Sequence, residues 1–394
     1  MDRDQVAFLR SEAGREELDG VGPGDVSDDR LLATVERLRA RLTPAQAAAV
    51  VETVALRIRA AEKFSGADRM LFISDALEQA THEAVAAHRA SRFREGSRGV
   101  IADLGCGVGG DALALARLGP VVGVDRDPVR LLLARHNLDM SGVGEQFGPV
   151  RADVLSFEAA GLAGAFADPS RRSSGRRLLD PEAASPPLSG LRARWAGLVP
   201  VFAVKVAPGI PHRAIPDDAQ AEFVSLGGGM KEAVLWWGEP FPPGRRATLL
   251  PGPHVLESDG GGPAPVSEPG PFLHEPDPAV IRAGLVSTLA RRLGAHLIDP
   301  EIAYLSGPEP ATGPFAVSYP VEEVLPFNLK LLRRRLRALG VGVVEIKKRG
   351  SPLTPEELRP RLRLEGDGRR TVILTRVAGR PVAIIAGSRQ SERA

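Results

Sequence analysis

The sequence predicts an α/β protein built on a mainly parallel sheet of seven strands with helices on both faces. From residue 100 onward, short apolar runs alternate with helical segments, which is the pattern of parallel strands joined by helical crossovers. The last two apolar runs before residue 251 are separated only by residues 238–244, which predicts an antiparallel pair of strands at the sheet edge. The expected strands are 99–104, 120–124, 148–152, 163–167, 200–206, 232–237 and 246–250.

An N-terminal helical domain is expected over residues 1–95, followed by the α/β domain over residues 96–250. Apolar residues three and four positions apart in 31–38 predict an amphipathic helix. Thr43 and Pro44 then supply an N-cap and a proline at the first helical position. Further helices are predicted over 63–72 and 74–93.

A stretch rich in proline and glycine over residues 251–270 predicts an inter-domain linker. Residues 271–394 then predict a second domain, of the α+β class. Pro326 and Gly340 bracket one of its helices, as start and stop signals do. Its expected helices span 277–293 and 328–339, and its expected strands span 315–319, 341–346, 371–377 and 381–386.

Bulk composition limits the class of protein. Of the 394 residues, 43% are hydrophobic and 25% are charged, which indicates a folded chain. The single cysteine, Cys106, excludes an internal disulfide and a cysteine-based metal site, and no metal is expected. No apolar run approaches the length of about 18–20 residues that spans a membrane, and the N-terminus lacks a signal-peptide pattern. We therefore expect a cytoplasmic protein with no membrane partner.

The charge of the chain is small in total but uneven along its length. The formal net charge is +2, yet residues 1–29 carry nine acids and three bases, and residues 330–370 carry thirteen bases and five acids. An anionic partner is therefore expected to meet the C-terminal part of the protein. Two solvated helical faces would explain the same pattern.

The turn after the first predicted strand indicates a cofactor site. Gly105, Gly107 and Gly110 fit the pattern G-x-G-x-x-G of Rossmann-like folds. Glycine is needed where the backbone turns sharply and must let a ligand approach without a Cβ in the way. Asp103 precedes this turn and would face the pyrophosphate of a dinucleotide unfavourably, whereas S-adenosylmethionine (AdoMet) carries an α-ammonium group and no phosphate. Asp125 ends the next strand, where an acid binds ribose hydroxyls.

These residues predict AdoMet as the cofactor. A nicotinamide or flavin enzyme, and a simple strand–helix turn in another α/β fold, are the alternatives. Arg126 follows Asp125, and at the end of the third strand Asp153 could accept the adenine amino hydrogen while Val154 packs beside the ring. A surface aspartate after a strand is also common. Cys106 lies inside the glycine turn, where a small side chain is needed, so we interpret it as a packing residue in the cofactor site rather than a nucleophile.

Three segments resemble class I AdoMet-dependent methyltransferases: 103–111, 123–130 and 134–137. They are most similar to the trimethylguanosine-synthase-like RNA methyltransferases, which have a similar cysteine–glycine turn and a similar aspartate–proline helix start. The resemblance implies a Rossmann-like methyltransferase sheet that binds AdoMet.

The downstream half resembles the THUMP-like domain of a bacterial methyltransferase family, through residues 275–284 and 346–350. THUMP domains proper bind RNA in tRNA-modifying enzymes, so this resemblance implies an RNA partner. The two resemblances together would cover most of residues 60–390.

The end of the fourth strand is where amino-directed methyltransferases carry Asp/Asn-Pro-Pro-aromatic. Asp168 and Pro169 match this motif, whereas Ser170 and Arg171 replace its second proline and its aromatic residue. We expect Asp168 to orient the acceptor amine and to help accept its proton, with Pro169 beside it. The alternative is that Asp168 only caps a turn. Ser170, Arg171 and Arg172 are expected to contact the substrate, the arginines by stacking or by binding phosphate.

The predicted function is AdoMet-dependent methylation of a base nitrogen of RNA, in tRNA or rRNA. Four arginines between residues 171 and 177 place positive charge beside the acceptor position, which suits a polyanion, although an exposed loop would also explain them. Lys205, at the end of the fifth strand, is a weaker candidate for a substrate contact. The alternatives are a methyltransferase for a small molecule or a protein, and a non-catalytic RNA-binding module that kept the fold.

Overall fold

The computed structural model describes residues 1–158, 160–170, 172–173, 176–177 and 179–389. The chain forms two compact units. The first comprises Met1–Gln220 with Ala233–Pro243, and the second comprises Ala221–Glu232 with Gly244–Ala394.

Six helices precede the first strand. Thr43 begins α4 with a capping box, in which its hydroxyl accepts the Gln46 N–H and the Gln46 side chain accepts the Thr43 N–H. Apolar side chains of these helices pack in one hydrophobic cluster with those of the strands and helices that follow. The helices are α1 Arg3–Arg10, α2 Glu12–Asp19, α3 Leu31–Arg39, α4 Pro44–Ala60, α5 Ser74–Gln79 and α6 Glu83–Gly96.

The helix predicted over residues 63–72 is wrong, because this segment forms turns. Its apolar side chains Phe64, Met70, Leu71 and Phe72 are all buried, so their spacing does not define one face of a helix. The Lys63 carbonyl accepts the Glu83 N–H, a tertiary contact in place of a helical hydrogen bond.

The central sheet has nine strands in the order β11-β10-β8-β9-β7-β4-β1-β2-β3. Strands β3, β2, β1, β4 and β7 are parallel, and β9 is antiparallel to β7. A separate pair, β5 with β6, is antiparallel. The strands are β1 Val100–Leu104, β2 Val121–Asp125, β3 Phe147–Arg151, β4 Leu162–Ala167, β5 Arg172–Ser173, β6 Arg176–Arg177, β7 Val201–Val206, β8 Gln220–Leu226, β9 Gly229–Trp237, β10 Gly244–Leu250 and β11 His254–Glu257.

Three helices connect the parallel strands of this sheet. They are α7 Gly110–Ala116, α8 Pro128–Met140 and α9 Leu188–Trp195. The α/β class is therefore as predicted, with each of the seven expected strands present, but the strand count is two short.

The two strands of the central sheet that were not predicted are β8 and β11. Strand β8 contains Gln220, Glu222 and Ser225, which are all buried, so no apolar run marks it. Glu222 is tolerated there because it accepts a hydrogen bond of 2.6 Å from the Thr248 hydroxyl and forms an ion pair of 3.4 Å with Arg246. The predicted edge pair of β9 with β10 is wrong because β8 lies between them. Strand β11 lies in the predicted linker and pairs with β10 at the edge.

The second sheet has seven strands in the order β13-β14-β12-β15-β18-β17-β16. The helix predicted over 277–293 is two helices, because Gly284 adopts a left-handed conformation with φ of 72° and ends the first of them. The elements are β12 Phe272–Pro276, α10 Pro278–Ala283, α11 Val286–Leu293, β13 His296–Asp299, β14 Ile302–Gly307, β15 Ala316–Pro326, α12 Leu329–Ala338, β16 Val341–Lys348, α13 Pro355–Leu362, β17 Gly368–Val377 and β18 Arg380–Ala386.

Helices α12 and α13 cover one face of the second sheet. Leu332 and Leu336 of α12 and Leu358 and Leu362 of α13 join the buried side chains of β16 and β17 in one cluster. Within the residues that the structure describes, none of the helices combines the length and the apolar character that a membrane span requires.

A buried histidine in β12 makes the stability of the protein depend on pH. His274 is 1% exposed, and its Nδ1 lies 2.9 Å from the Ser318 Oγ. Burial, and then the charge of His296, lower the pKa of His274 from 6.5 to about 4. Because the native state resists protonation, the stabilisation present above pH 6.5 is lost as the pH falls towards 4, by at most about 3 kcal/mol.

We therefore expect acidification to destabilise the wild-type protein more than His274→Gln. Chemical denaturation at pH 7 and pH 4.5 measures the change in free energy of unfolding for each protein. That change should be smaller in the variant by about 2 kcal/mol, since glutamine has no proton to gain in this range. Equal changes in both proteins would contradict the proposed origin of the pH dependence.

Candidate active site

The loop between β1 and α7 is held against the end of β2. The N–H groups of Gly105 and Cys106 both donate to the Val124 carbonyl, at 2.7 and 3.0 Å. Gly105 and Gly107 have φ of 83° and 54°, in the left-handed region that favours glycine. A Cβ on Gly107 would meet no atom within 4 Å and would project into open space. The loop therefore presents bare backbone to a ligand.

Asp125 fixes this loop from the end of β2. Its Oδ2 accepts the Gly107 N–H at 3.1 Å, and its Oδ1 accepts the Asp127 N–H at 2.9 Å. Asp127 in turn caps α8 by accepting the Val129 N–H at 2.8 Å. One carboxylate thus orders the glycine loop and the start of the next helix together.

Asp103 is buried beneath the loop, with 2% of its surface exposed. Its Oδ2 has no hydrogen-bond partner within the described part of the chain. Burial, and then the nearby Asp111 carboxylate, raise the pKa of Asp103 well above its usual value. An unpaired buried carboxylate oxygen is costly, and a cationic ligand nearby would offset that cost.

A cavity of about 200 Å³ lies beside the loop, within the first unit. Residues from both the cofactor and the acceptor predictions line it. Those predicted residues are Gly105, Cys106, Gly107, Gly110, Asp125, Arg126, Val154, Asp168, Pro169 and Ser170. The structure therefore places most of the predicted site residues around a single cavity.

Two predicted cofactor residues do not line the cavity. Asp103 lies behind the loop, and Asp153 forms an ion pair with Arg126 while accepting the Leu155 N–H at 2.7 Å. Arg171 lies outside the described residues, and Arg172 begins β5. Burial, and then the Asp103 and Asp125 carboxylates, raise the pKa of Cys106 well above its usual value, which fits a packing role.

The part of the cavity that is predicted to face the methyl acceptor lies at the end of β4. Asp168 follows that strand, and its Oδ2 lies 2.6 Å from the Nζ of Lys205, on the neighbouring strand β7. Ser170 exchanges backbone hydrogen bonds of 3.0 and 2.9 Å with Ser185, which also lines the cavity. These contacts tie the backbone at Ser170 to the backbone at Ser185.

One part of the cavity wall comes from the segment before β1 and was not predicted. Ala76, Gln79 and Ala80 line it, and the side chains of Thr81 and Arg89 contact Asp111, another lining residue. Nothing local marks these residues, because only tertiary packing brings them to the sheet. Asp111 did carry a signal, since it directly follows Gly110 in the glycine turn.

Among the side chains that the structure describes, carboxylates around the cavity outnumber the cations that are free to balance them. Arg89 pairs with Asp111, and Lys205 pairs with Asp168. Two lining arginines, Arg126 and Arg130, pair with carboxylates outside the cavity lining, Asp153 and Asp75. The four carboxylates at or beneath the cavity wall are Asp103, Asp111, Asp125 and Asp168. Such a site favours a positively charged ligand.

No group of three or more histidine, cysteine, aspartate or glutamate side chains in the described ranges is arranged to hold a metal ion.

Three family models match parts of the chain. Residues 98–192 match a family described as RNA cap guanine-N2 methyltransferase, and residues 316–388 match a family described as THUMP domain-like. Residues 2–60 match a family described as a domain of unknown function.

Two relatives that are similar over most of the chain have descriptions that agree with these family matches. Proteins from two Mycobacterium tuberculosis strains, ATCC 25618 / H37Rv and CDC 1551 / Oshkosh, are each 38% identical over 340 residues, which is 83% of this chain and 92% of the relative. Both are described as an uncharacterized S-adenosylmethionine-dependent methyltransferase. A crystal structure from Porphyromonas gingivalis W83, with a provisional methyltransferase description, has a TM-score of 0.77 and 20% identity over 100% of both chains, which shows a shared fold.

Proposed function

This chain belongs to the family of class I AdoMet-dependent methyltransferases with a THUMP-like domain, and from that premise we propose that its methyl acceptor is a base nitrogen of RNA, in tRNA or rRNA. The observation that carries the proposal is the family match over residues 98–192, because that segment contains both the glycine loop and Asp168. The match of residues 316–388 to a THUMP domain-like family supports an RNA partner.

The cofactor is assigned to the cavity beside the glycine loop. Asp125 binds the ribose hydroxyls in addition to ordering the loop, and Val154 packs beside the adenine ring. Asp103 balances the α-ammonium group through the field of its buried carboxylate rather than through a surface contact. The excess of carboxylates fits AdoMet, which carries positive charge on both its ammonium group and its sulfur.

The glycine loop and one ion pair complete the proposed cofactor site. Gly105, Cys106 and Gly107 supply the bare loop backbone, and Gly110 begins the helix behind it. Arg126 lines the cavity and forms an ion pair with Asp153, which lies just outside the lining. We assign Asp153 to the adenine amino group from that position.

Methyl transfer from a sulfonium is an in-line displacement, so alignment is the main contribution of the protein. AdoMet supplies the electrophilic methyl group. Asp168 orients the acceptor N–H and takes up the proton that the nitrogen loses, with Pro169 beside it. Ser170 contacts the substrate next to this position, and Arg171 and Arg172 add contacts to phosphate or base.

Ligand binding tests the cofactor assignment. AdoMet and S-adenosylhomocysteine, each at about a hundred times its dissociation constant, should raise the melting temperature by about 5 to 10 °C. The variant Gly107→Val, which fills the open space at the loop, should lose this shift. Absence of stabilisation by either ligand in the wild-type protein would contradict the assignment.

Methyl transfer tests the substrate class. Purified protein with radiolabelled AdoMet should label RNA from a strain that lacks the gene, and should label RNA from the parent strain much less, because the target there is already methylated. Label in small metabolites or proteins but not in RNA would favour the other methyltransferases. Binding of RNA and AdoMet without any transfer would favour a non-catalytic RNA-binding module.

A further inference from the structure

Two buried ion pairs lie under the walls of the AdoMet cavity. The Arg89 guanidinium pairs with Asp111, and the Lys205 ammonium pairs with Asp168 at 2.6 Å. The cationic side chains are 3% and 5% exposed and the carboxylates 13% and 20%, so water screens each pair only partly. Asp111 and Asp168 both line the cavity, Asp111 on α7 and Asp168 at the end of β4.

Thr81 connects these two pairs. Its Oγ1 lies 3.0 Å from the Lys205 Nζ and 3.2 Å from the Asp111 Oδ2. An ammonium group can only donate, and an ionised carboxylate can only accept, so the direction of each hydrogen bond is fixed. Lys205 donates to Thr81, and Thr81 donates to Asp111. A side chain without a hydroxyl could not make both contacts.

The backbone around Thr81 is held in place by another lysine. Thr81 lies in the turn between α5 and α6, directly after the lining residue Ala80. The Lys63 Nζ donates to the carbonyls of Leu77, Glu78 and Ala80 at 2.7, 3.2 and 2.9 Å. Thr81 is itself buried, so its hydroxyl has little freedom to move away from Lys205.

We propose that Thr81 is a positioning residue for methyl transfer: it holds the Lys205 ammonium against Asp168 and thereby sets the orientation of the Asp168 carboxylate at the acceptor side of the cavity. The inference rests on the proposed function in one respect, the assignment of Asp168 to the acceptor. The inference assigns a role in methyl transfer to a residue of the segment before β1.

The consequence for rate follows from geometry. Removing the Thr81 hydroxyl leaves the Lys205–Asp168 ion pair in place. The Lys205 ammonium then loses its hydrogen bond to Thr81 and can change its position. Displacements of about 1 Å in an aligned site lower rates by about a hundredfold, whereas loss of one hydrogen bond changes an equilibrium only about tenfold. A positioning role therefore affects transfer more than it affects cofactor binding.

Sinefungin tests the inference without any acceptor substrate, because this cofactor analogue carries a protonated amine where AdoMet carries its methyl group. An oriented Asp168 carboxylate should favour sinefungin over S-adenosylhomocysteine. In Thr81→Val the affinity for sinefungin should fall about tenfold, while the affinity for S-adenosylhomocysteine should stay within about twofold. Thr81→Ser, which keeps the hydroxyl, should restore the wild-type ratio.

The matched control is Thr53→Val, which makes the same chemical change at a buried threonine on α4 whose hydroxyl has no partner in the described structure. It should leave both affinities unchanged. Thr81→Val with an unchanged ratio, or with equal losses for both ligands, would overturn the positioning role. Thermal denaturation of both valine variants identifies any loss due to unfolding, and Thr81→Ser then decides whether the hydroxyl itself is needed.

A further variant separates this inference from the proposed function. If Asp168→Asn leaves the sinefungin ratio unchanged, Asp168 does not face the transferred group, and the positioning role is overturned with that assignment. If the preference for sinefungin over S-adenosylhomocysteine falls in both Asp168→Asn and Thr81→Val but RNA is never labelled, only the assignment of RNA as the substrate fails. Where labelling occurs, Thr81→Val should lower kcat by about tenfold or more with the KM for AdoMet unchanged.

Discussion

Asp168→Asn is expected to lower kcat for methyl transfer by about a thousandfold, while the dissociation constant for AdoMet changes by less than about threefold. Asparagine, which the matching motif also allows, can still orient the acceptor amine but cannot take up the proton that the nitrogen loses. We assign that proton transfer to Asp168, and such transfers contribute about a hundredfold to ten-thousandfold. Its side-chain oxygen can still accept the hydrogen bond from Lys205, so the buried lysine keeps a partner. Single-turnover transfer to RNA and calorimetric AdoMet binding measure the two quantities.

The control is Asp217→Asn, the same change at an exposed aspartate that does not line the cavity. It should leave both quantities at the wild-type values. A kcat for Asp168→Asn within tenfold of wild type would show that Asp168 is not the proton acceptor. Parallel losses of kcat and of AdoMet affinity would show that Asp168 belongs to the cofactor site instead.

Asp125→Ala should weaken AdoMet binding by about a hundredfold, which corresponds to about 3 kcal/mol. The variant removes both the proposed ribose contact and the acceptor for the Gly107 N–H, so the loop loses order as well as a ligand. Asp125→Asn should give a smaller loss, since one oxygen remains to accept from the loop. Equilibrium binding of AdoMet measures both variants.

Asp127→Ala separates support of the helix start from contact with the cofactor. Asp127 caps α8 and accepts the Val129 N–H, but it does not line the cavity. Its replacement should cost about 1 kcal/mol of stability and leave AdoMet affinity within about threefold. If Asp125→Ala behaves like Asp127→Ala, Asp125 supports the helix start and does not bind the ribose.

The glycine loop and its neighbours at the cavity could be predicted from the sequence because their signals are local. The glycine turn, the carboxylate that ends β2 and the start of α8 all lie within about thirty residues, and each has a backbone reason for its residue type. Gly107 needs a left-handed conformation, and Asp127 needs to cap a helix.

The rest of the site depends on tertiary packing. Thr81 reaches Lys205 across 124 positions of sequence, and no periodic pattern encodes that contact. Strand β8 was missed for a related reason, because Glu222 reads as a surface residue until Thr248 supplies its partner. A buried polar residue is visible in a sequence only when its partner is also known.

The basic region of the second unit shows a similar limit. Charge counting over residues 330–370 predicted a face for an anionic partner. In the structure Arg335 pairs with Glu323, and Arg337 pairs with Glu365, so acids outside and inside that region neutralise part of it. Net charge along a segment therefore overstates the positive charge that a surface offers to RNA.

A map of modified nucleosides is the most direct measurement of the proposed function. RNA from a strain that lacks the gene should have lost one nucleoside methylated on a base nitrogen, relative to the parent strain. The wild-type gene should restore that nucleoside, and the Asp168→Asn gene should not. Identical nucleoside profiles in the deletion strain and its parent, across both tRNA and rRNA, would contradict an RNA methyltransferase.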